Sequence, residues 1–314
     1  MDDREVPQPS MGVVIVNWNG THLLRECLTP LTRAGVPVIV VDNASSDGSV
    51  DLIQEMFPEV QVIKNPTNRG FAYANNQGMY ALSTPYIMFL NNDTIPDPKA
   101  LDDIAVFLGE HSLTGVAGPT LVFPDGRPQA SCGPGPNLWT EFLSKSLLHR
   151  VFPTLRQWAP SASRQVDWVT GAALCIRRDL AIDLGGWDEA MFMFYEDLDL
   201  CARVREAGFS VWFLSTHPIV HIGGASRKKL ETQSLVHSYE SAQRFFDRHG
   251  SVWRRKVVAA MTVPEMALRS AVWALLSTSS RRRSLAKERL QAYALILRMA
   301  IRGRRLGRLD RHDG

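Results

Sequence analysis

The sequence predicts an α/β fold: a mixed, mainly parallel sheet flanked by helices, followed by a helical C-terminal region. Three observations predict it. Short apolar runs recur through residues 11–110, each followed by a stretch with helical spacing, and such alternation places helices on both faces of a parallel sheet. Successive runs end on Asn, Asp and Gly, residues that turn a chain out of a sheet. Beyond Ser226 the apolar residues fall at helical spacing.

The run 12–17 is short, continuous and apolar, the pattern of a buried strand. Residues 21–34 form a helix that Pro30 kinks or ends early. Strands follow at 38–41, 60–64 and 86–90, with helices at 47–57, 71–82 and 98–109. Residues 121–127 form a hairpin around Pro124-Asp125-Gly126. Residues 132–163 are rich in Gly, Pro and Ser and read as a long loop. A strand pattern resumes over 165–177, and a helix over 196–208 ends at a glycine, as a C-cap does. Short strands at 210–214 and 219–222 close the region.

In the C-terminal region, residues 257–277 are apolar but interrupted by Pro264, Glu265 and Arg269, which argues against a spanning helix. Over 285–305, Lys287, Arg298, Arg302 and Arg305 share one helical face, and Leu285, Ala292, Ile296 and Met299 another. Such a helix lies in a membrane interface or packs on the body with its basic face in water. The arginine excess favours the membrane, with Trp273 and Tyr293 as aromatic anchors.

The chain of 314 residues is 45% hydrophobic, enough for one large domain or two smaller ones. Its net charge of +3 hides an asymmetry: residues 250–314 hold 15 Lys and Arg against 4 Asp and Glu, a net of +11, so residues 1–249 carry −8. A basic tail on an acidic body needs a polyanionic partner or an anionic surface. Interleaved aliphatic residues select an anionic membrane surface over nucleic acid. Cys27, Cys132, Cys175 and Cys201 lack C-x-x-C spacing, which argues against a zinc site or disulfide scaffold and fits a reducing compartment, with a cytoplasmic location as the expectation. Residues 1–10 are polar with two prolines, a flexible N-terminus that is neither signal peptide nor membrane anchor.

Phe89-Leu90-Asn91-Asn92-Asp93 puts a carboxylate at the carboxyl end of a strand, where open α/β sheets bind ligands. One carboxylate holds a hard cation only if the ligand supplies further oxygens, so the pattern points to a metal–diphosphate site; the alternative is an Asx turn. The first strand ends at Asn17-Trp18-Asn19-Gly20 and the second at Asp42-Asn43-Ala44-Ser45-Ser46-Asp47-Gly48. An acid after a second strand accepts hydrogen bonds from a ribose or base. Trp18 offers a stacking face, and Arg69 a positive group over a base or phosphate. Singly these are turns, a core Trp and a surface Arg. Together Asn17, Trp18, Asp42, Arg69, Asn92 and Asp93 make a nucleotide site with a diphosphate–metal end.

These segments resemble the inverting family-two glycosyltransferases of the GT-A fold. Val14-Ile-Val-Asn-Trp-Asn19, Val41-Asp-Asn-Ala-Ser-Ser-Asp-Gly-Ser49, Asn68-Arg-Gly-Phe-Ala-Tyr-Ala-Asn-Asn-Gln-Gly78 and Phe89-Leu-Asn-Asn-Asp93 carry the resemblance. It continues in Val169-Thr-Gly-Ala172, Gly185-Gly-Trp-Asp-Glu189 and Phe194-Tyr-Glu-Asp-Leu-Asp-Leu200, and covers about residues 11–225. It is closest to the rhamnosyltransferase-like bacterial branch that builds surface polysaccharides. The resemblance implies a nucleotide-binding half at 11–110, an acceptor-binding half at 111–225, and a basic, membrane-associating region at 226–314. Asp42, Trp18 and Arg69 would hold the nucleoside. Asp93 would hold Mg²⁺ or Mn²⁺ on the donor diphosphate, with Asn91 standing where the D-x-D motif has its first acid. His221 would be a further metal or diphosphate contact, or else a satisfied strand-end histidine.

Asp197 is the implied general base, with Glu196 as the second choice or an acceptor-binding partner. The bland reading is an acidic first turn favoured by the helix dipole, with Asp199 and Arg203 as an i,i+4 pair. Trp168, Gly171 and Trp187 would line the acceptor pocket, Trp187 being equally a core residue. Ser226-Arg-Lys-Lys229 is a solvated charge run or a loop that closes over diphosphate. The implied reaction moves a sugar from a dTDP-rhamnose-like or UDP-sugar donor to a glycan or polyprenyl-diphosphate-linked acceptor at the inner membrane face. A nucleotidyltransferase competes through Leu28-Thr-Pro-Leu-Thr32, but a Gly-rich basic loop after the first strand is missing. An inactive scaffold of the same fold is the other alternative; Asp42, Asp93 and Asp197 are all in place.

Overall fold

Strand β1 (Met11–Asn17) buries six of its seven residues, as a parallel strand covered on both faces does. This computed structural model describes residues 10–146, 157–223, 231–278 and 283–302. The N-terminus up to residue 9, Ser226-Arg-Lys-Lys229 and Arg305 lie outside the described residues. Helix α1 (Thr21–Arg33) carries Pro30 inside it. The expected early stop is corrected: Leu24, Leu28 and Leu31 are fully buried and hold the turns on both sides of the proline in the core. The alternation continues through β2 (Val38–Asp42), α2 (Ser49–Met56), β3 (Gln61–Lys64), α3 (Phe71–Ala81) and β4 (Tyr86–Asn91).

A short strand β5 (Thr94–Ile95) leads into α4 (Pro98–Glu110), whose N-cap Asp97 accepts from the Lys99 N–H. β6 (Thr114–Gly118) and β7 (Leu121–Val122) follow. The turn after β7 closes where Pro124-Asp125-Gly126 predicts it, with Phe123 N donating to Arg127 O at 2.9 Å. The loop expected over 132–163 is corrected in part, because β8 (Cys132–Gly133) and α5 (Leu138–Lys145) fall inside it. A reciprocal capping box between Asn137 and Thr140 starts that helix. Then come β9 (Arg164–Val166), β10 (Trp168–Val169), β11 (Ala173–Arg177), α6 (Arg178–Asp183), α7 (Glu196–Glu206), β12 (Ser210–Phe213) and β13 (Ile219–His221). Helices α8 (Glu231–His249), α9 (Val252–Leu276) and α10 (Arg283–Arg302) complete the chain.

The main sheet has the order β3-β2-β1-β4-β11-β6-β12-β9. Its first four strands are parallel, and β11 is antiparallel to both β4 and β6. Alternate residues of β1 feed two cores. Val13 and Ile15 pack with α1 and α4, while Val14 packs with α3 and α7. Because β1, β2 and β4 run together, Asn17 pairs with Asp42, and Val16 with Asn91. Three polar strand ends therefore share one edge, as expected of an open α/β sheet. A small sheet β5-β13-β7 brings His221 opposite Thr94.

The chain divides into two compact units. One holds Met1–Gly135, Gln157–Phe192 and Glu196–Ala225; the other holds Pro136–Arg156, Met193–Tyr195 and Ser226–Gly314. In the second, Tyr293, Ile296 and Met299 of α10 pack with Tyr239 of α8 and Met266 of α9. This corrects the expectation that the apolar face of α10 is free for lipid: Tyr293 is fully buried, and Ala292, Ile296 and Met299 nearly so. Trp273 lies against the same cluster, with the Arg289 guanidinium 4.6 Å above its ring. Among the described residues no helix is long and apolar enough to cross a membrane.

Asp199 and Arg203 form the expected i,i+4 pair at 2.8 Å, with side chains 0% and 7% exposed. Arg203 also donates to Leu184 O at 2.9 Å. Removing one partner strands a buried charge, which costs about 3–5 kcal/mol. Arg203→Ala is expected to lower the unfolding free energy by that amount, and Asp199→Leu/Arg203→Met to recover most of it, as read by urea titration.

Candidate active site

Asn17 organises the strand ends. Its side-chain amide is fully buried, so its donors and acceptor need partners. The N–H₂ group donates to Asp42 Oδ2 at 3.0 Å and to Ser45 Oγ at 3.2 Å, and the oxygen accepts from Asn92 Nδ2 at 2.8 Å. Asp42 is 2% exposed, and its other oxygen accepts from Ser45 N at 2.9 Å. Each of its oxygens keeps one lone pair. Gly20 makes the Asn17–Asn92 bridge possible, because a Cβ there would lie 2.3 Å from Asn92 Nδ2 and 2.5 Å from Asn17 Oδ1. Trp18, directly after β1, is half-buried.

The Asn68-Arg69-Gly70 loop hangs on a second amide network. Asn43 Nδ2 donates to Gly70 O at 3.1 Å, and Asn65 bridges Asn43 to Gln77. Arg69 is exposed and its guanidinium stacks 3.4 Å above the Tyr73 ring. Tyr73 thus holds the cation at the rim, a partner that motif reading missed although the spacing of one helical turn could have suggested it.

At the end of β4, Asp93 is 7% exposed. Its Oδ1 lies 3.2 Å from His221 Nε2, and its backbone oxygen accepts from Ile222 N at 2.9 Å. The other ring nitrogen, Nδ1, meets Gln129 Oε1 at 2.7 Å. An amide oxygen only accepts, so Nδ1 carries the proton and Nε2 is the nitrogen turned to Asp93. Gln129 was not foreseen from sequence, because only the pairing of β13 with β5 and β7 brings it to His221. Among the described residues no three His, Cys, Asp or Glu side chains gather as a complete metal site. A carboxylate and an imidazole nitrogen fit a divalent cation whose remaining ligands are waters and phosphate oxygens.

The Glu196-Asp197 pair opens α7 and is joined to the same sheet edge. Asn91 N donates to Ala172 O at 3.0 Å, and the neighbouring Gly171 N donates to Asp197 Oδ2 at 3.0 Å. Leu198 N donates to Asp197 Oδ1 at 2.9 Å. Glu196 differs, since its enclosed Oε2 has no hydrogen-bond partner among the described residues. Burial, then the neighbouring Asp197 charge, push the Glu196 carboxyl up from 4.5 to about 8. Burial also raises Asp197, but N–H donors from Gly171 and Leu198 oppose it. Both carboxyls are raised by burial, and the N–H donors on Asp197 favour its charged form over that of Glu196. Backbone strain precedes it: Phe194 and Tyr195 have φ of 67° and 64°.

The three residues expected to line an acceptor pocket lie beside the pair or beneath it. Gly171 bonds Asp197, as above. Trp168 is 7% exposed and its indole N–H donates to Pro134 O at 2.9 Å. Trp187 is 2% exposed and meets Phe71 and Phe89 edge-on at 5.5 and 5.0 Å. Both tryptophans support the site from the core and present no open face.

The profile of "Glycosyl transferase family 2" matches residues 12–152, and that of "Glycosyl transferase family group 2" matches residues 86–300. The chain belongs to glycosyl transferase family 2. It is similar to the N-acetylglucosaminyl-diphospho-decaprenol L-rhamnosyltransferase of Mycobacterium tuberculosis, with 27% identity over 77% of this chain and 86% of that one. In fold it is similar to a mannosyltransferase from Pyrobaculum calidifontis solved with GDP-Man and Mn²⁺, at 18% identity and TM-score 0.53, over 96% of this chain and 89% of that one. It also matches GalNAc-T7 solved with UDP, GalNAc and Mn²⁺, at 13% identity and TM-score 0.58, over 95% of this chain and 57% of that one. The glycosyltransferase therefore has the GT-A fold, as the motifs imply.

In this glycosyltransferase the raised Glu196 has a consequence for stability. Between its unfolded value of 4.5 and its folded value of about 8, the folded chain keeps a proton that the unfolded chain releases. Stability from this group is thus lost as pH rises through that window. Glu196→Gln cannot release the proton. From pH 5 to 8 the thermal midpoint of the parent is expected to fall more steeply than that of Glu196→Gln.

Proposed function

We propose that this chain is an inverting, metal-dependent glycosyltransferase that moves a sugar from a nucleoside-diphosphate donor to a polyprenyl-diphosphate-linked glycan acceptor. The observation that supports this reading best is the hydrogen-bonded chain from Asp42 through Asn17 and Asn92, with Asn91–Ala172 and Gly171–Asp197 carrying it to the far side of the site. Three carboxylates with separate tasks thus sit on one rigid edge. Asp42 and Trp18 would take the nucleoside, and Arg69 would add positive charge at the rim.

Asp93 and His221 would hold the cation, with Gln129 fixing the ring. An imidazole in the donor set favours Mn²⁺ over Mg²⁺. The bound cation supplies Lewis-acid stabilisation of charge on the departing nucleoside diphosphate. Asp197 would accept the proton of the acceptor hydroxyl through a lone pair that its two backbone donors leave free. Inversion requires that hydroxyl to attack from the side opposite the diphosphate. Glu196, protonated, would donate a hydrogen bond to the acceptor. The rhamnosyltransferase relative is named for N-acetylglucosaminyl-diphospho-decaprenol, and the basic C-terminal region suits such a membrane-borne anion. The reading therefore places the chain on the inner membrane face, with a dTDP-rhamnose-like or UDP-sugar donor.

Two measurements test it. A ligand that binds only the folded state raises the thermal midpoint, so TDP or UDP with Mn²⁺ should raise it more than either does alone, with GDP and NAD as comparisons. Absence of any shift would remove the donor site. Asp197→Asn should keep the nucleotide shift and lose about 10²–10⁴-fold in transfer rate, the usual share of a general base. Unchanged transfer would reassign the base, with Glu196→Gln as the next variant to assay.

A further inference from the structure

Helix α9 is apolar on two opposite faces; among the described residues one is buried and the other is exposed. Val258, Thr262 and Met266 are buried, and Thr262 Oγ1 satisfies itself on Val258 O at 2.9 Å. Opposite them, at helical spacing, run Trp253, Val257, Ala260, Pro264, Leu268, Ala271 and Leu275. Trp253, Leu268 and Leu275 are 56%, 58% and 74% exposed. A helix apolar all round belongs in a protein core or in lipid, and a contiguous exposed apolar stripe marks an interaction surface. At 1.5 Å per residue the stripe is about 33 Å long.

Charge is arranged around the stripe and kept off it. From Val257 to Leu276 the charged residues are Glu265 and Arg269. They bond each other at 3.0 Å, and Glu265 also meets Lys145 of α5 at 3.8 Å, away from the exposed face. Arg254 and Lys256 stand exposed at one end, where Arg255 is paired with Asp247 at 2.7 Å, and Arg281, Arg282 and Arg283 follow the other in sequence. An uncharged apolar band between basic ends matches a bilayer surface, with acyl chains under the band and anionic headgroups at the ends. A second copy would instead oppose two segments of net +11 each, and like charge disfavours that pairing.

We propose that the outward face of α9, from Trp253 to Leu275, is an interfacial docking surface for an anionic lipid bilayer. It replaces α10, whose apolar face is used inside the second unit. The inference extends the reading of a membrane-borne acceptor and rests on that reading only for its purpose; vesicle binding needs neither donor nor acceptor, so the two fail separately.

The test is co-sedimentation of the full chain with phosphatidylcholine vesicles, with and without phosphatidylglycerol. Binding is expected to the anionic vesicles and to weaken with salt. Leu268→Glu/Leu275→Glu should reduce partitioning by at least about tenfold, with an unchanged circular dichroism spectrum and an unchanged nucleotide-dependent thermal shift. If the double variant does not fold, brominated lipid decides: it should quench tryptophan emission of the parent more than that of Trp253→Phe. Failure of the parent to bind, full binding by a folded double variant, or equal quenching of Trp253→Phe each overturns the proposal. A lipid-free dimer that the double variant splits overturns it too, by giving the face to a second copy.

Discussion

The site depends on one buried amide. Asn17 closes β1 at the centre of the parallel strands, and its side chain has no access to water. A carboxylate beside it accepts only, so the N–H₂ group must turn to Asp42 and the oxygen to Asn92. That choice leaves no rotational freedom and fixes three strand ends relative to one another. Aspartate at this position would press a second carboxylate against Asp42, and leucine would leave Asp42 buried without its donor. Gly20 follows from the same constraint, since any side chain there would occupy the path of the Asn17–Asn92 bond.

The carboxylates on this edge are held in different ways, and the difference separates scaffold from chemistry. Asp42 is bonded through both oxygens inside the fold. Asp47 is similar: burial opposes ionisation, but bonds from Ser49 and Thr21 outweigh it and hold the carboxyl at about 2. Glu196 is buried with an oxygen that no described residue satisfies. A stability-optimised protein would not keep such a group, and under the proposed reading a substrate group would complete its bonding.

Much of the catalytic fold was legible in the sequence, because apolar runs and polar strand ends are local signals. The register of β1, β2 and β4 then follows from the requirement to bury both faces. What was hidden is non-local or marginal. Gln129 reaches His221 through a pairing between residues 92 positions apart, which no local pattern encodes. Helix α5 lies in a Gly- and Pro-rich stretch whose composition masks a capping box four residues long. Arg69 looked free to reach a ligand, whereas Tyr73 one turn later holds it by its ring face.

The C-terminal helices show why helical periodicity alone misassigns faces. Residues 285–305 carry the cleaner amphipathic pattern, and that pattern is what a helix needs to pack on its neighbours as much as to enter lipid. Tyr293 and Ile296 accordingly disappear into the interior of the three-helix unit. Residues 257–277 argued only against a spanning helix, because Pro264, Glu265 and Arg269 interrupt their apolar run. Those interruptions are placed selectively. Glu265 and Arg269 pair on the packed side, and Pro264 lies on the exposed side, where its ring adds apolar surface. With its inner stripe spent on folding, the helix still has an outer stripe that stays exposed among the described residues. Surplus apolar surface, rather than amphipathic pattern, is the sign that separates a helix with an external partner from one that serves the core.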